Sequence, residues 1–357
     1  MSIRKINVEE FVSISKDFPV FDVRTPGEYK HAHIPGAISL PLLSDEERVV
    51  IGTAYKQESR HIAIKKGLDF FGPKMRALVE EVERLTNLEP ERKTIVIHCW
   101  RGGMRSGAVA WLLDMYGYTV LTISGGYKAF RKWALLQFEK EYNFKLLGGY
   151  TGSGKTPVLH EVDSLGHNVI DLENLANHRG SAFGGIGMNA QPSQEMFENI
   201  LAVELYKKHL NDFIWLEDES QRIGTTMIPK SIWILMRSSP IFFIDIDFEE
   251  RLKYLVHTYG IMNKEELMHS IKRITKRLGG LESANAINHI LENNIPESFR
   301  ILLRYYDKLY SKGLYNREGS SDLITVIKCN DVDAKTNGFK VHSAAHNLSP
   351  IENAISS

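Results

Sequence analysis

The chain has 357 residues, 43% of them apolar and 25% charged, enough for two domains with a core each and too apolar for bulk disorder. Its 44 basic and 44 acidic residues cancel, so any surface for nucleic acid must be a local patch. No apolar run approaches the ~18–20 residues of a membrane span, and the first residues lack the apolar stretch of a secretion signal, so a cytoplasmic protein with no membrane partner is expected.

In chain order, Val20–Val23 and Thr94–His98 are short apolar runs without alternation, the pattern of buried parallel strands. Between them Lys74–Leu85 carries apolar residues at helical spacing. After Cys99 a helix is expected over Ser106–Met115 with Gly117 as its stop, then a strand at Tyr118–Ile123. A Gly125-Gly126 turn leads into a helix from about Lys128 to Tyr142, and the domain junction is placed near residue 140. A second α/β pattern restarts with strands at Lys145–Gly148, His167–Asp171 and Phe213–Glu217 and a helix at Thr156–Leu165. Glu249–Leu314 is mostly helical and amphipathic. The expected domains are therefore 1–140, 141–330 and a polar tail, 331–357, mobile or loosely packed.

Cys99 and Cys329 are the two cysteines and form no CxxC pair, which excludes a disulfide framework and a cysteine-ligated site; no zinc is expected. Cys99 opens the loop Cys99-Trp100-Arg101-Gly102-Gly103-Met104-Arg105 between a strand and a helix. Backbone N–H groups there point inward, the helix N-terminus adds positive potential, and His98, Arg101 and Arg105 are expected to add positive charge. Such a loop favours a nucleophilic thiolate and cradles an oxyanion. Gly149-Tyr150-Thr151-Gly152-Ser153-Gly154-Lys155-Thr156 satisfies GxxxxGK[ST] between a strand and a helix, the context of a P-loop. Its N–H groups and Lys155 would hold a diphosphate, and Thr156 would ligate Mg²⁺. Glu217 and Asp218, closing an apolar strand, are candidates for a Walker-B role, and Asp171 for a metal or substrate contact. His178-Arg179 and Arg222 adjoin these elements and are expected to face substrate. Across Arg251–Gly280 the net charge is +5, with Ile271, Ile274 and Leu278 on one helical face, so Lys272, Arg273, Lys276 and Arg277 are candidates for a phosphate-backbone footprint.

Asp22-Val23-Arg24-Thr25-Pro26-Gly27-Glu28-Tyr29, His33-Ile34-Pro35-Gly36-Ala37, the Cys99 loop and Gly125-Gly126-Tyr127 together resemble a rhodanese domain, a family that carries sulfur or selenium on its loop cysteine. His98-Cys99-x5-Arg105-Ser106 fits the HCx5R[ST] pattern of cysteine phosphatases equally well, so loop length alone leaves phosphatase chemistry open. The whole chain, from about residue 10 to 310, resembles the tRNA 2-selenouridine synthases, which join a rhodanese domain to a P-loop domain in this order. The further carrying segments are Asp45–Arg48, Gly52–Gln57, Asp171–Gly184 and Leu216–Ser220, with weaker echoes at Lys276–Gly279 and Tyr305–Tyr310.

The resemblance implies an α/β chain with a rhodanese-like parallel-sheet domain, then a P-loop NTPase-like domain with a helical C-terminal part. It implies geranylation of a wobble 2-thiouridine in tRNA by geranyl diphosphate, then replacement of the S-geranyl group by selenium from selenophosphate. Alkylation is assigned to the Lys155 loop, with Mg²⁺. Selenation is assigned to Cys99, which would handle selenophosphate or carry selenium as a perselenide. A selenophosphate-supplying enzyme is an expected partner. The competing readings are a rhodanese-fold cysteine phosphatase, an ATP-dependent tRNA sulfurtransferase and a non-enzymatic nucleotide switch.

Overall fold

The computed structural model describes residues 3–86, 93–208, 212–317 and 320–347. The chain divides into two units: Met1–Gln137 with Glu198–Val203, and Phe138–Phe197 with Glu204–Ser357. The first unit runs β1 (Arg4–Ile6), α1 (Val8–Ile14), β2 (Val20–Asp22), α2 (Pro26–His31), β3 (Ile38–Ser39), α3 (Asp45–Gln57), α4 (Arg60–Phe71), α5 (Met75–Thr86), β4 (Thr94–His98), α6 (Met104–Tyr116), β5 (Thr119–Ile123) and α7 (Gly126–Gln137). Its five strands form one parallel sheet in the order β1-β5-β4-β2-β3. Phe21, Val23, Ile95, Ile97 and Val120 of the sheet pack with Val79, Val82, Val109 and Leu113 of the flanking helices α5 and α6. Covered on both faces, β4 is apolar along its length, which is why it reads as a run rather than an alternation.

The second unit begins with β6 (Asn143–Gly149), α8 (Lys155–Ser164), β7 (Asn168–Val169), α9 (Leu172–Leu175), α10 (Gln194–Lys207), β8 (Phe213–Glu217), β9 (Arg222–Ile223), β10 (Thr226–Met227) and α11 (Lys230–Arg237). It continues with β11 (Ile241–Ile246), α12 (Phe248–Tyr259), α13 (Lys264–Leu278), α14 (Gly280–Leu291), α15 (Ile295–Tyr315), α16 (Ser320–Leu323), β12 (Ile324–Cys329) and α17 (Ala334–Asn347). A second five-stranded parallel sheet has the order β12-β11-β6-β8-β7, and β9 and β10 form a small antiparallel hairpin. A separate cluster, with Leu252, Leu267, Ile271, Ile290, Phe299 and Leu303 at its centre, holds α12 to α15 together. Among the described residues, no helix is long and apolar enough to cross a membrane.

Three expectations need correction. The helix expected to reach Tyr142 stops at Gln137, because Tyr142 is drawn into the second unit, where it stacks on Phe144 of β6 at 5.8 Å. Residues Glu198–Val203, from the middle of α10, cluster with the first unit: buried Asn199 donates to the Tyr127 hydroxyl at 2.8 Å and to the His33 carbonyl at 3.0 Å. The segment after 330 is a helix, not a loose tail. α17 buries Val341 and Ala345 against Val158, Leu159 and Val162 of α8, and the missing side chain of Gly338 lets the helices approach at Glu161. Residues 348–357 of that expected tail lie outside the described residues.

Candidate functional site

Cys99 follows β4 at its carboxyl end, and the loop after it feeds α6, so Cys99 lies at the mouth of a helix N-terminus. Its Sγ lies 3.2 Å from the Ser106 hydroxyl and accepts from the Gly103 N–H at 3.4 Å. Burial by itself raises the thiol pKa. Hydrogen bonds from the Ser106 hydroxyl and from the backbone of Ser106, Gly103 and Arg101 outweigh it, and the net shift is downward. The loop backbone closes against the start of α7: Tyr127 N–H donates to the Cys99 carbonyl at 2.9 Å and Lys128 N–H to that of Trp100 at 3.0 Å. Gly126, at φ +58°, permits this, since a Cβ there would stand 2.2 Å from the Cys99 carbonyl oxygen. Beneath the loop, buried Arg24 pairs with Asp22 at 2.6 Å and stacks over Tyr127 at 3.9 Å.

The charged side chains expected to favour the thiolate do not all do so. Burial pushes the His98 imidazole down to about 4, so it is neutral. Arg105 turns to Glu28, at 2.6 and 3.2 Å, and its charge is matched there. Arg101 is exposed and contributes its N–H, and Trp100 and Met104 form an exposed apolar rim. The hydroxyl and amides favour the thiolate, and the largest part comes from Ser106, whose signal in the sequence is its place as the last residue of the HCx5R[ST] pattern.

In the second unit β6 ends in the glycine-rich loop and α8 begins at Lys155, with Gly152 and Gly154 both left-handed, at φ +81° and +70°. Lys155 Nζ donates to the Gly149 carbonyl at 3.2 Å, and the Thr156 hydroxyl donates to Glu173 Oε2 at 2.8 Å. Glu217, at the end of β8, is fully buried; its Oε2 accepts from Leu172 N–H at 3.1 Å and its Oε1 has no partner among the described residues. Its carboxyl is held well above the usual range by burial and by Asp171 and Glu173. Glu219 is pushed up to about 8 by burial and by Glu173. Glu173 thus accepts from Thr156 and is coupled electrostatically to both Glu217 and Glu219, and a hard divalent cation beside Thr156 would take Thr156 and Glu173 as ligands and reach Glu217 through water. Asp218 does not fit the metal role expected of it, because its carboxylate is taken by buried Arg317 and by the Tyr310 hydroxyl, the latter at 2.7 Å. Asp171 caps α9 and meets His160 Nε2 at 2.7 Å.

The loop opens into a cavity of about 1040 Å³. Part of its lining is polar: Gly152–Thr156, Asp171, Glu173, Glu219, and the cations Arg179, Arg237, Arg277 and Arg317. Arg179 Nη1 and Arg317 Nε and Nη1 are buried donors with no partner among the described residues. The rest of the lining is hydrocarbon and aromatic: Phe183, Leu255, Tyr259, Phe299, Leu302, Leu303, Tyr306 and Leu309, the last five along about three turns of α15. Tyr310 also lines the cavity, accepting from Gly149 N–H at 3.3 Å. Helical spacing of leucines and tyrosines on α15 was the available signal for this wall, together with the motif echo at Tyr305–Tyr310.

His178 and Arg222 do not line the cavity. His178 is buried beside Gly184, and Arg222 sits on the β9 hairpin, donating to the Gly224 carbonyl at 2.9 Å. On α13, Lys272, Arg273, Lys276 and Arg277 are exposed above buried Ile271, and Arg273 also ties down the Ala182 carbonyl at 2.8 Å. Arg251, counted with that basic surface, is instead buried. Its guanidinium pairs bidentately with Asp307 at 2.8 and 2.9 Å and donates to the Thr151 carbonyl at 3.0 Å, so it braces the P-loop from behind.

A reactive-thiol loop on one parallel α/β unit and a P-loop with an attached apolar cavity on the next define a two-unit protein of rhodanese-like and P-loop modules. The description "tRNA 2-selenouridine synthase AAA domain" matches residues 142–325 and "Rhodanese-like domain" matches residues 7–132. A tRNA 2-selenouridine synthase of Pseudomonas putida (strain W619) is 33% identical over 345 residues, spanning 86% of this chain and 91% of that one. One from Nitrosomonas europaea is 36% identical over 290 residues, spanning 79% and 73%. The chain belongs to the tRNA 2-selenouridine synthase family.

Proposed function

We propose that the protein makes 2-selenouridine in tRNA in two stages, the first in the P-loop cavity and the second at Cys99. The carrying observation is the union of a phosphate loop with a deep hydrocarbon wall in one cavity. A prenyl diphosphate such as geranyl diphosphate needs both, whereas the adenine of a nucleotide has no use for so long an aliphatic lining. The P-loop amides, Lys155 and Arg317 take the diphosphate, and the α15 face takes the chain. The 2-thio sulfur attacks C1 of the prenyl group, the C–O bond breaks, diphosphate leaves and the base loses its N3 proton. Mg²⁺ at Thr156 and the carboxylates would neutralise charge on the leaving diphosphate. Arg277, on the cavity rim, joins it to the basic face of α13, which supports Lys272, Arg273, Lys276 and Arg277 as contacts to the tRNA backbone.

In the second stage the Cys99 loop holds selenophosphate, delivered by a selenophosphate-supplying enzyme. The thiolate attacks phosphorus, forming S–P and breaking P–Se; the selenide released displaces geranyl thiol from C2, and water frees the cysteine as phosphate departs. Every atom keeps its oxidation state, which a perselenide route from selenophosphate would not allow without expelling phosphite. Nucleoside mass spectrometry on a 2-thiouridine tRNA with both substrates and Mg²⁺ tests the reading. Wild type is expected to yield 2-selenouridine, Cys99→Ala to stall at the S-geranyl nucleoside, and Lys155→Ala to leave 2-thiouridine. An unmodified nucleoside with wild type, or a requirement for ATP, overturns it.

A further inference from the structure

Neither stage uses the three histidines that meet where α17 crosses the carboxyl end of α8, and two of the three lie beyond the span matched by the family description. His342 and His346 are one helical turn apart on one face of α17. His167 arrives from the turn after α8, two residues past its cap Leu165, with Gly166 at φ +89° making the turn. His167 Nε2 and His342 Nδ1 are 2.8 Å apart, a contact in which one ring donates its only proton and the other offers a lone pair. The ring of His346 closes the group, with centroids 4.4 Å from His342 and 5.9 Å from His167, and one nitrogen from each ring lies within 4.8 Å of the other two.

We propose that His167, His342 and His346 form a three-imidazole site for a divalent transition-metal ion of the zinc class, which pins α17 to the P-loop helix. Three neutral imidazoles are a common zinc ligand set, and two of them at i and i+4 on a helix present their nitrogens to one point. Tetrahedral zinc with Zn–N near 2.0–2.1 Å sets its nitrogens about 3.3 Å apart. The one close contact, 2.8 Å, is shorter than that and all three nitrogens lie within 4.8 Å of one another, so small ring rotations that replace the shared proton by the ion complete the site. Imidazole nitrogen without a carboxylate selects zinc, nickel or copper over magnesium, so this site and the carboxylate cluster at Thr156 do not compete for one ion. Neither cysteine takes part.

The site has a mechanical consequence. α8 starts at Lys155 and ends just before His167, and Val332, on the approach to α17, packs where a Cβ on Gly154 would be. An ion holding α17 thus steadies both ends of the helix that carries the phosphate-binding lysine.

The test is zinc titration of the full-length protein, stripped by chelator, in excess Mg²⁺ against a chromogenic chelator. Cobalt absorption is read in parallel, and hydrogen exchange in α17 is followed with and without zinc. Wild type is expected to bind one equivalent, to show tetrahedral cobalt bands and to gain protection in α17. His346→Ala, at an exposed ring, leaves the fold in place and is expected to weaken zinc by more than about 10-fold, with the cobalt bands lost. His342→Gln should behave alike, and Cys99→Ala should bind as wild type does. Equal zinc affinity in wild type and His346→Ala, or loss of binding in Cys99→Ala instead, overturns the proposal.

Discussion

Arg251→Met isolates what braces the P-loop. The methionine keeps most of the buried stem and removes a guanidinium that serves the Ile246 carbonyl at 3.0 Å, the Thr151 carbonyl at 3.0 Å and both oxygens of Asp307. Each carbonyl orphaned in the interior costs about 1–2 kcal/mol. Removing one partner of a fully buried ion pair costs ~3–5 kcal/mol, but the Asp307 side chain is 22% exposed and regains water, so its share falls to the low end. The expected total is about 5–7 kcal/mol, a rise on the order of 1,000-fold or more in the opening equilibrium of the second unit. Hydrogen exchange of the slowest amides in β6 and β11 reads that equilibrium separately from the first unit. Arg251→Met combined with Asp307→Leu is expected to recover part of the loss, since no unpaired charge is left behind. Exchange accelerated by less than about 10-fold in the single variant would mean that the ion pair does not hold the loop. A double variant less stable than the single one would refute the coupling.

The thiol of Cys99 is shifted down and that of Cys329 up, the latter by burial. Because the thiolate is the reactive form, iodoacetamide should label Cys99 first as pH rises, well before Cys329, and Ser106→Ala should move the Cys99 profile toward higher pH. Equal profiles for the two cysteines, or no displacement in Ser106→Ala, would contradict the hydroxyl's role. Gly126→Ala should cost at least about 2 kcal/mol in the first unit, combining a left-handed alanine with a backbone contact that no side-chain rotation relieves. Unchanged exchange in β4 and β5 would show that the loop yields instead.

The parallel strands and both loops are legible in the sequence because each depends on local chemistry: apolar runs, paired glycines, a lysine before a threonine. What escapes depends on distance. Arg251 looks like one more surface cation because its partner lies 56 residues away on another helix. Leucines and tyrosines at helical spacing on α15 look the same whether they face a neighbouring helix or a cavity. α17 is hidden by the polar run from Asp331 to Gly338; the small residue that lets it pack against α8 reads, in isolation, as a helix breaker.

The wall built by α15 also behaves as a ruler. Tyr310 fixes its zero mark beside Gly149, and Leu303 and Phe299 stand about two and three turns farther along, near 5.4 Å per turn. Along α15 the cavity lining is therefore graduated in single side chains, progressively farther from Gly149. If a prenyl diphosphate binds there as proposed, a bulkier residue at one graduation is expected to shorten the chain accommodated while the glycine-rich loop is left as it was, so chain-length preference and chemistry would change independently.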